Sequence, residues 1–382
     1  MSLLLLLLAQ AASNDIVITG KRLEEAHAIC KERGCTPLRD AQASIALAEA
    51  RFRTGDYLAA KSVLAGAVSR NKDKAASDPK PVAAIYEAYA TVALHEGNQG
   101  DYRKAVANQV RTLRDNLPPD DPNVLAATTA LGDMWLKTGT AARAEMAYRS
   151  SEEAALAAGN DRAAMLAGMK RAWLLAATDK PRQARAKLDE LDARAIAAQP
   201  GYATALRVLR LRLAAKDAEG PELDRLIRSL GQGQDEAPVL LKAPAYALDA
   251  AAERAAARDR ARKFGDVDPD PIRSSELDAI QWADFGFWIR PNGETADAEV
   301  LRSSRGNPWT ALVLEQIAGR RYSARPAGAD DDVQGYYKVE RLTRRSQYRV
   351  PSGSLISRRV AIGGYETLDL TEEADAGAPP TR

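Results

Sequence analysis

Residues 282–304 read WADFGFWIRPNGETADAEVLRSS. The first part, Trp282–Ile289, is a short run rich in aromatic residues and is typical of a strand. Pro291-Asn292-Gly293 predicts a tight turn, because Asn-Gly favours the positive φ angles that hairpin turns require. Ala298–Leu301 predicts the returning strand, so the stretch as a whole predicts two strands around a turn.

A helix and a third strand follow this hairpin. Residues 308–317 predict an amphipathic helix, 320–326 form a basic and aromatic exit that ends in proline, and 335–342 predict a strand. In this order the segment resembles the C-terminal domain of TonB-type energy transducers, although the Tyr-Pro segment that usually precedes the first strand of that family is absent. The resemblance implies a small α+β domain over residues 276–370, with TonB-dependent receptors as candidate partners.

The strand 335–342 carries the residues that we expect to contact a partner. Alternation places Tyr337, Val339 and Arg341 on one face and Tyr336 and Lys338 on the other. In the TonB-like arrangement this strand lies near a sheet edge, where an extended peptide would pair with free main-chain groups. These five residues are therefore the predicted partner-binding set of the C-terminal domain.

The chain from residue 36 to 231 predicts a stack of helix pairs, because it is rich in Ala and breaks repeatedly at Gly, Asn and Pro. Residues 45–64 resemble a tetratricopeptide repeat (TPR), with a Gly-Asp-Tyr turn at 55–57 that we expect to recur at 100–102. Further units are predicted around 131–144 and 173–184. Small residues recur about every 40 positions, at Ala60, Ala105, Ala144 and Ala184. Four degenerate repeats are enough for a stable stack.

Such a helical-repeat solenoid offers a concave surface for an extended or helical peptide, but it also serves as a spacer or a dimerisation platform. The sequence does not separate these roles. Asn108, Gln109 and Arg111, on the second helix of one repeat, are candidates for lining a groove. We expect the Tyr and Trp residues along the helices to be core residues.

The first thirteen residues predict a secretory signal peptide, because a Leu run is followed by small residues with an Ala-x-Ala-like site near Ala9 to Ala11. No Lys or Arg precedes the Leu run, so a plain apolar N-terminus is the alternative. A run of this length is shorter than the ~20 residues that a membrane span needs. We therefore expect an exported, soluble periplasmic protein with no membrane span.

The only two cysteines, Cys30 and Cys35, fall in the segment 14–35. An oxidising compartment favours a local disulfide, provided that the helix ends between them, and Gly34 is well placed to end it. A free pair and a metal site are the alternatives, although no further Cys and no paired His would complete a metal site. Within the same segment, residues 15–22 resemble the TonB box of TonB-dependent receptors; the alternative is a chance Ile-Val-Ile run that pairs within its own fold.

Residues 232–275 predict a partly ordered linker. It contains a helix at 250–262 and an acidic run with two prolines at 266–271. The acidic run lacks a Glu at the offset that a calcium loop requires, which favours a solvated linker. The last residues, 371–382, predict a disordered tail.

Composition and motifs argue against several function classes. Lys and Arg number 54 against 52 Asp and Glu, so no strong global charge attracts nucleic acid. His27 and His95 lie alone in helical stretches, without the spacing of a metal site. No Gly-rich phosphate loop and no Gly-x-Ser-x-Gly motif occurs. We therefore expect no enzyme, no cofactor and no metal.

These observations predict an α + (α+β) protein: an N-terminal TPR-like solenoid followed by a small TonB-like domain. The expected function is that of a periplasmic adaptor for protein–protein interaction, linked to TonB-dependent outer-membrane transport. The alternative is a helical-repeat scaffold for envelope assembly, in which the C-terminal domain mediates homodimerisation.

Overall fold

The computed structural model of the 382-residue chain describes residues 20–230, 237–246, 277, 279–304, 308–324, 335–350 and 354–371. The chain divides into two compact units between Leu213 and Ala214. We call the described part before this division the helical unit and the described part after it the sheet unit. The predicted signal peptide, residues 15–19 of the TonB-box-like stretch, the helix at 250–262, the acidic run at 266–271 and the tail after residue 371 lie outside the described residues. Residues 20–22 of the TonB-box-like stretch begin the first helix.

The helical unit consists of antiparallel helix pairs joined by short turns. The first four helices are α1 (Gly20–Arg33), α2 (Pro37–Arg53), α3 (Tyr57–Asn71) and α4 (Pro79–Glu96). They continue as α5 (Gln99–Asn116), α6 (Pro122–Ala127), α7 (Ala130–Lys137) and α8 (Ala141–Ala157). The last are α9 (Asp161–Ala177), α10 (Pro181–Asp192) and α11 (Pro200–Ala215). From α1 to α10, each helix packs on its neighbour in the chain, and α2 also packs on α4.

The same turn chemistry reverses the chain within successive pairs. A glycine in the left-handed region follows the first helix, at Gly55, Gly97 and Gly139, because glycine adopts positive φ without steric cost. A polar side chain then caps the second helix: Asp56 accepts from the Ala59 N–H at 3.2 Å. The turn expected at 100–102 is wrong in position, because those residues lie inside α5. The chain reverses three residues earlier, at Gly97.

The predicted small-residue positions are confirmed as helix-crossing positions. Ala60, Ala105, Ala144 and Ala184 are all buried and lie near the start of the second helices α3, α5, α8 and α10. Nearby, Gly132 lies so close to Tyr148 that a Cβ atom would be 2.1 Å from the ring. Close helix contact at regular intervals defines this unit as a TPR-like helical repeat.

The cysteines lie at the end of α1 and form a disulfide bond, with 4.8 Å between their Cα atoms. Gly34 adopts a left-handed conformation between them (φ 78°), which ends the helix and turns Cys35 back toward Cys30. The predicted local disulfide is therefore present in the structure.

The sheet unit begins with α12 (Gly220–Ser229) and the short strand β1 (Leu240–Lys242). It continues with β2 (Trp282–Ile289), β3 (Thr295–Ser303), α13 (Thr310–Ala318) and β4 (Arg321–Tyr322). Two long strands complete it, β5 (Tyr336–Arg349) and β6 (Arg358–Asp369). The main sheet is antiparallel in the order β3-β2-β5-β6, and β1 pairs separately with β4.

The hairpin turn predicted at 291–293 connects β2 to β3. Gly293 is left-handed (φ 82°), and a Cβ atom there would lie 2.2 Å from the Tyr322 carbonyl oxygen, so only glycine fits. One face of β2 packs against α13 in a core that contains Phe285 and Phe287. The apolar face of the predicted amphipathic helix thus covers one face of the sheet.

The expected boundary at 231 and the expected linker at 232–275 differ from the structure. The helix α12 lies after the division at Leu213, and Arg321 of β4 forms ion pairs with Asp224 of α12 and with Glu294. Strand β1 lies within the predicted linker, and its Leu241 is buried. A three-residue strand carries too short a pattern to be recognised without its partner strand.

Candidate interaction surfaces

The predicted binding strand 335–342 is not an edge strand. It forms the first part of β5, which pairs with β2 from Tyr336 to Thr343 and with β6 from Glu340 onward. Just after the end of β6, the Thr371 hydroxyl accepts a hydrogen bond from the Val339 N–H at 3.1 Å. Because these main-chain groups are already engaged, the expectation of a free peptide-binding edge at Lys338 and Val339 is wrong.

The prediction that Arg341 contacts a partner is also wrong, because its side chain is fully buried. Its guanidinium forms a two-pronged ion pair with Asp284, with distances of 2.6 Å from Nε to Oδ1 and 2.9 Å from Nη2 to Oδ2. The Trp282 ring lies over it, 4.0 Å from ring centroid to guanidinium carbon. This geometry holds the centre of the sheet together and leaves Arg341 no surface for a partner.

The structure leaves β3 as an edge strand of the main sheet. Among the described residues β3 pairs with β2 alone, and most of its residues from Asp297 to Ser303 are exposed. The Ser304 N–H donates to the Trp282 carbonyl at 2.9 Å. Because N–H groups alternate sides along a strand, the Ser303 N–H points away from β2.

Two irregularities shape this edge. The register between β2 and β3 shifts near Leu301 and again near Asp297, and Asp297 has a positive φ of 51°. Bulges twist an edge and limit unspecific pairing of long flat strands. Val300 and Leu301 nevertheless remain exposed large aliphatic residues on this strand.

An aromatic surface lies beside the open edge, on the sheet face opposite α13. Trp288 and Tyr337 contact each other with ring centroids 4.9 Å apart. Gly286 of β2 lies on the same face, and a Cβ atom there would be 2.1 Å from the Tyr337 hydroxyl and 3.1 Å from a Leu301 methyl. Burial raises the pKa of the Tyr337 phenol. Tyr337 is thus the predicted residue that lies beside a usable edge.

Sequence reasoning missed Trp288, Val300 and Leu301 as candidate contacts. Two adjacent large aliphatic residues in a strand cannot both face one core, because successive side chains point to opposite faces. The adjacent pair Val300-Leu301 in the sequence was therefore the signal that one large aliphatic side chain lies outside the core. The remaining predicted residue of the strand, Tyr336, packs against the core beneath α13.

The three groove candidates of the helical unit all lie on α5, with different exposures. Arg111 is exposed, Asn108 is half-buried and Gln109 is buried. Gln109 therefore cannot contact a peptide in this conformation. Because Gln109 is buried, the three residues do not form one surface, and Arg111 is the exposed one among them.

Most buried charges of the helical unit link one helix to the next. Asp40 of α2 accepts from Arg70 and Asn71 of α3 at 2.7 and 2.6 Å. Burial alone would raise the pKa of Asp40, but these hydrogen bonds and that from Ser44 outweigh it and lower the pKa. The Asp40 carboxylate is therefore held ionised inside the stack.

Two further charge clusters connect successive helix pairs. Lys61 of α3 lies 2.7 Å from both Glu96 and Asp101. Glu152 of α8 is buried and accepts from Lys187 of α10 at 2.6 Å, with Arg171 and Arg194 beside it. These pairs stabilise the repeat interfaces.

Both histidines lie in the helical unit. His95 is buried between helices and lies against Phe52, with ring centroids 5.1 Å apart. His27 is half-buried on α1, and burial lowers its pKa, as does nearby Arg70. Within the described ranges no group of three or more His, Cys, Asp or Glu side chains could hold a metal ion. No helix of the described part is long and apolar enough to cross a membrane.

No protein-family model and no curated protein matches the chain. Solved structures similar to it include the TPR-like repeats of a Podosopora anserina kinesin light chain protein, at 16% identity over 47% of this chain and 87% of that one, with a TM-score of 0.39. BtubC from P. vanneervenii is 16% identical over 52% and 84%, at 0.39. The Rap conjugation gene regulator of plasmid pLS20, in complex with the Phr* peptide, is 13% identical over 58% of each chain, at 0.35.

The class of the protein follows from its own helix packing and turn chemistry. It is a TPR-like helical-repeat protein that carries a small antiparallel sheet unit after the repeats. Proteins of this architecture present extended concave surfaces for binding.

Proposed function

We propose that the chain is an exported, periplasmic adaptor without enzymatic activity, which binds an extended peptide of a partner protein along the free edge of β3. The observation that carries the proposal is the combination of an open strand edge, exposed Val300 and Leu301, and the Trp288–Tyr337 pair on the same sheet face as Leu301. An added strand gains affinity from main-chain hydrogen bonds and selectivity from alternate side chains.

The partner class that we propose is a TonB-dependent receptor. Support comes from the order strand, Asn-Gly turn, strand, helix and strand over residues 282–349, which resembles that of TonB C-terminal domains. Strand β6 of the same chain already pairs with most of β5. In this proposal the peptide therefore pairs with β3 instead. A seven-residue probe with the sequence of residues 15–21, Asp-Ile-Val-Ile-Thr-Gly-Lys, carries the Ile-Val-Ile run on which the resemblance to a TonB box rests.

Binding of this probe to the full chain tests the proposal. A proline at Ser303 removes an outward N–H, and we expect it to weaken binding at least tenfold, because one lost ladder bond also disturbs its neighbours. Ser303→Ala is the matched control and should bind like wild type. Fluorescence anisotropy of the labelled peptide measures both, after circular dichroism has shown that the variants are folded. Equal binding by a folded Ser303→Pro variant would rule out strand addition at β3.

The alternative function, an envelope-assembly scaffold that dimerises through this unit, uses the same edge. Two copies of β3 could pair with each other, since the edge is exposed and apolar at Val300 and Leu301. Sedimentation velocity separates the two roles. A dimer that Ser303→Pro dissociates supports the scaffold, whereas a monomer that binds the peptide supports the adaptor.

Two further experiments address the partner and the compartment. A pull-down from envelope extracts should use residues 214–382, because a fragment that starts at 276 would lack α12 and β1; TonB-dependent receptors among specific partners would support the proposal. Export predicts a mature N-terminus near Ala12 to Asn14. Sequencing that finds Met1 retained on periplasmic protein would contradict the signal peptide.

A further inference from the structure

The hairpin of β5 and β6 continues past the sheet. Strand β2 pairs with β5 as far as Thr343, and Arg344 makes one more main-chain bond, to the Gln281 carbonyl at 2.8 Å. Beyond this point β5 and β6 pair with each other from Ser346 to Arg349. We call residues 345–350 and 354–362 the distal hairpin.

Exposed apolar side chains gather on the distal hairpin. Leu355 is 101% exposed, Ile356 66% and Val350 54%, and Tyr348 and Ile362 are also exposed. Scattered surface apolar residues need no explanation, but a cluster at the tip of one hairpin marks an interaction site.

The same segment is strongly basic. Residues 342–365 contain five arginines and no Asp or Glu. Arg349 and Arg358 are directly opposite each other on the two strands, and both are exposed. Directly opposite residues of a strand pair share a face, so both guanidinium groups present positive charge on the same side of the hairpin.

Aliphatic residues at a tip, with arginines behind them, match the chemistry of a lipid surface. Leu355 and Ile356 would enter the acyl boundary while the guanidinium groups remain at the level of anionic headgroups. A symmetric contact with a second copy would bring Arg349 and Arg358 of both copies together, which is unfavourable. Nucleic acid would require stacking platforms, and the aromatic ring of Tyr348 already lies against Arg359 at 5.1 Å.

We propose that the distal hairpin docks on the surface of an anionic lipid bilayer, with Leu355 and Ile356 inserted and Arg349 and Arg358 against the headgroups. This inference does not depend on peptide binding at β3. Strand β3 is at one end of the strand order and β6, which forms half of the distal hairpin, is at the other.

Co-sedimentation of the full chain with vesicles tests the proposal, using phosphatidylcholine alone and phosphatidylcholine mixed with phosphatidylglycerol. We expect binding to the mixed vesicles only, and its loss at high salt. Leu355→Ser with Ile356→Ser should lower the partition constant at least tenfold. Arg349→Gln with Arg358→Gln should lower it roughly fivefold per arginine, whereas Arg349→Lys with Arg358→Lys should retain binding.

Leu58→Ser with Met146→Ser is the matched control, because both residues are exposed apolar side chains of the helical unit, and it should leave binding unchanged. All changed side chains are exposed, so thermal unfolding should match wild type. Equal binding to neutral vesicles, or no effect of the serine and glutamine variants, would overturn the proposal. So would a dimer that Leu355→Ser with Ile356→Ser dissociates, or equal binding to a DNA oligonucleotide.

Discussion

The buried ion pairs inside the helical unit join residues that are closer in sequence than those inside the sheet unit. In the helical unit, buried ion pairs join helices close in sequence, such as Arg70 with Asp40 (30 residues apart) and Lys187 with Glu152 (35). In the sheet unit, Arg341 reaches Asp284 (57 apart) and Arg321 reaches Asp224 (97). The helical unit should therefore fail locally, whereas the sheet unit should unfold as a whole.

The largest effect that we expect comes from a charge at a helix crossing. Ala144→Glu places a carboxylate at a fully buried position, and an unpaired buried charge costs several kcal/mol, roughly 5 or more. Hydrogen exchange followed by mass spectrometry should show lost protection in α7, α8 and α9 with protection retained in α2 and α3. Ala142→Glu, two residues away and exposed, is the control. Uniform loss across the helical unit would contradict near-neighbour stability.

Breaking the central ion pair of the sheet should destabilise that whole unit. Arg341→Leu leaves the Asp284 carboxylate buried without its main partner, at a cost of about 3 to 5 kcal/mol. Arg302→Gln removes a half-exposed arginine from the same carboxylate and should cost less than about 1 kcal/mol. Denaturant unfolding of the full chain, read through exchange in β2, β5 and β6, measures both.

A double variant sharpens this result. Arg341→Met combined with Asp284→Leu removes both charges, so that no ion is left buried, and most of the lost stability should return. If the double variant is as unstable as the sum of its single changes, the pair contributes through packing rather than through charge.

A moderate effect is expected at the first interface of the helical unit. Asp40→Asn removes a carboxylate that Arg70 and Asn71 hold, and we expect a cost of about 2 to 3 kcal/mol, since Arg70 is partly exposed. Because the pKa of Asp40 is lowered in the folded protein, its stabilisation is complete above the unfolded pKa and is lost as pH falls through the folded pKa. The difference between wild type and variant in urea unfolding should therefore be full at pH 7 and shrink below about pH 4. A difference that does not change with pH would assign the effect to packing.

The smallest effect should come from the disulfide. Its loop is short, so the change Cys30→Ala with Cys35→Ala should cost about 2 kcal/mol or less and only near α1. A thiol-alkylating reagent should label Cys30 and Cys35 of the wild-type protein only after the disulfide has been reduced. A large loss of stability in distant helices would show that α1 anchors the stack.

The helix pairs could be predicted because their determinants are local. The small residues Ala60 and Ala144, the turn glycines and the capping residues all act within a few positions of each other. The one misplaced turn, at 100–102, arose because Gly100 imitates the motif whereas Gly97 performs the reversal.

The sheet could be predicted only in part. The β2–β3 hairpin and α13 were recognisable from Asn-Gly and from helical periodicity, but the place of β5 depends on β6, which has few large apolar residues. Gly363 and Gly364, both left-handed, interrupt its alternation at a register shift. Without β6, β5 looks like an edge strand, and the candidate binding site was assigned to the wrong strand for that reason.

Amide hydrogen exchange of the full chain, with and without the peptide of residues 15–21, tests the central claim most directly. The account predicts new protection in β3 between Asp297 and Ser303 and no change in β5, which already pairs with β2 from Tyr336 to Thr343 and with β6 from Glu340 to Arg349. Protection that appears in β5, or only in the helices of the helical unit, would contradict peptide capture at the β3 edge.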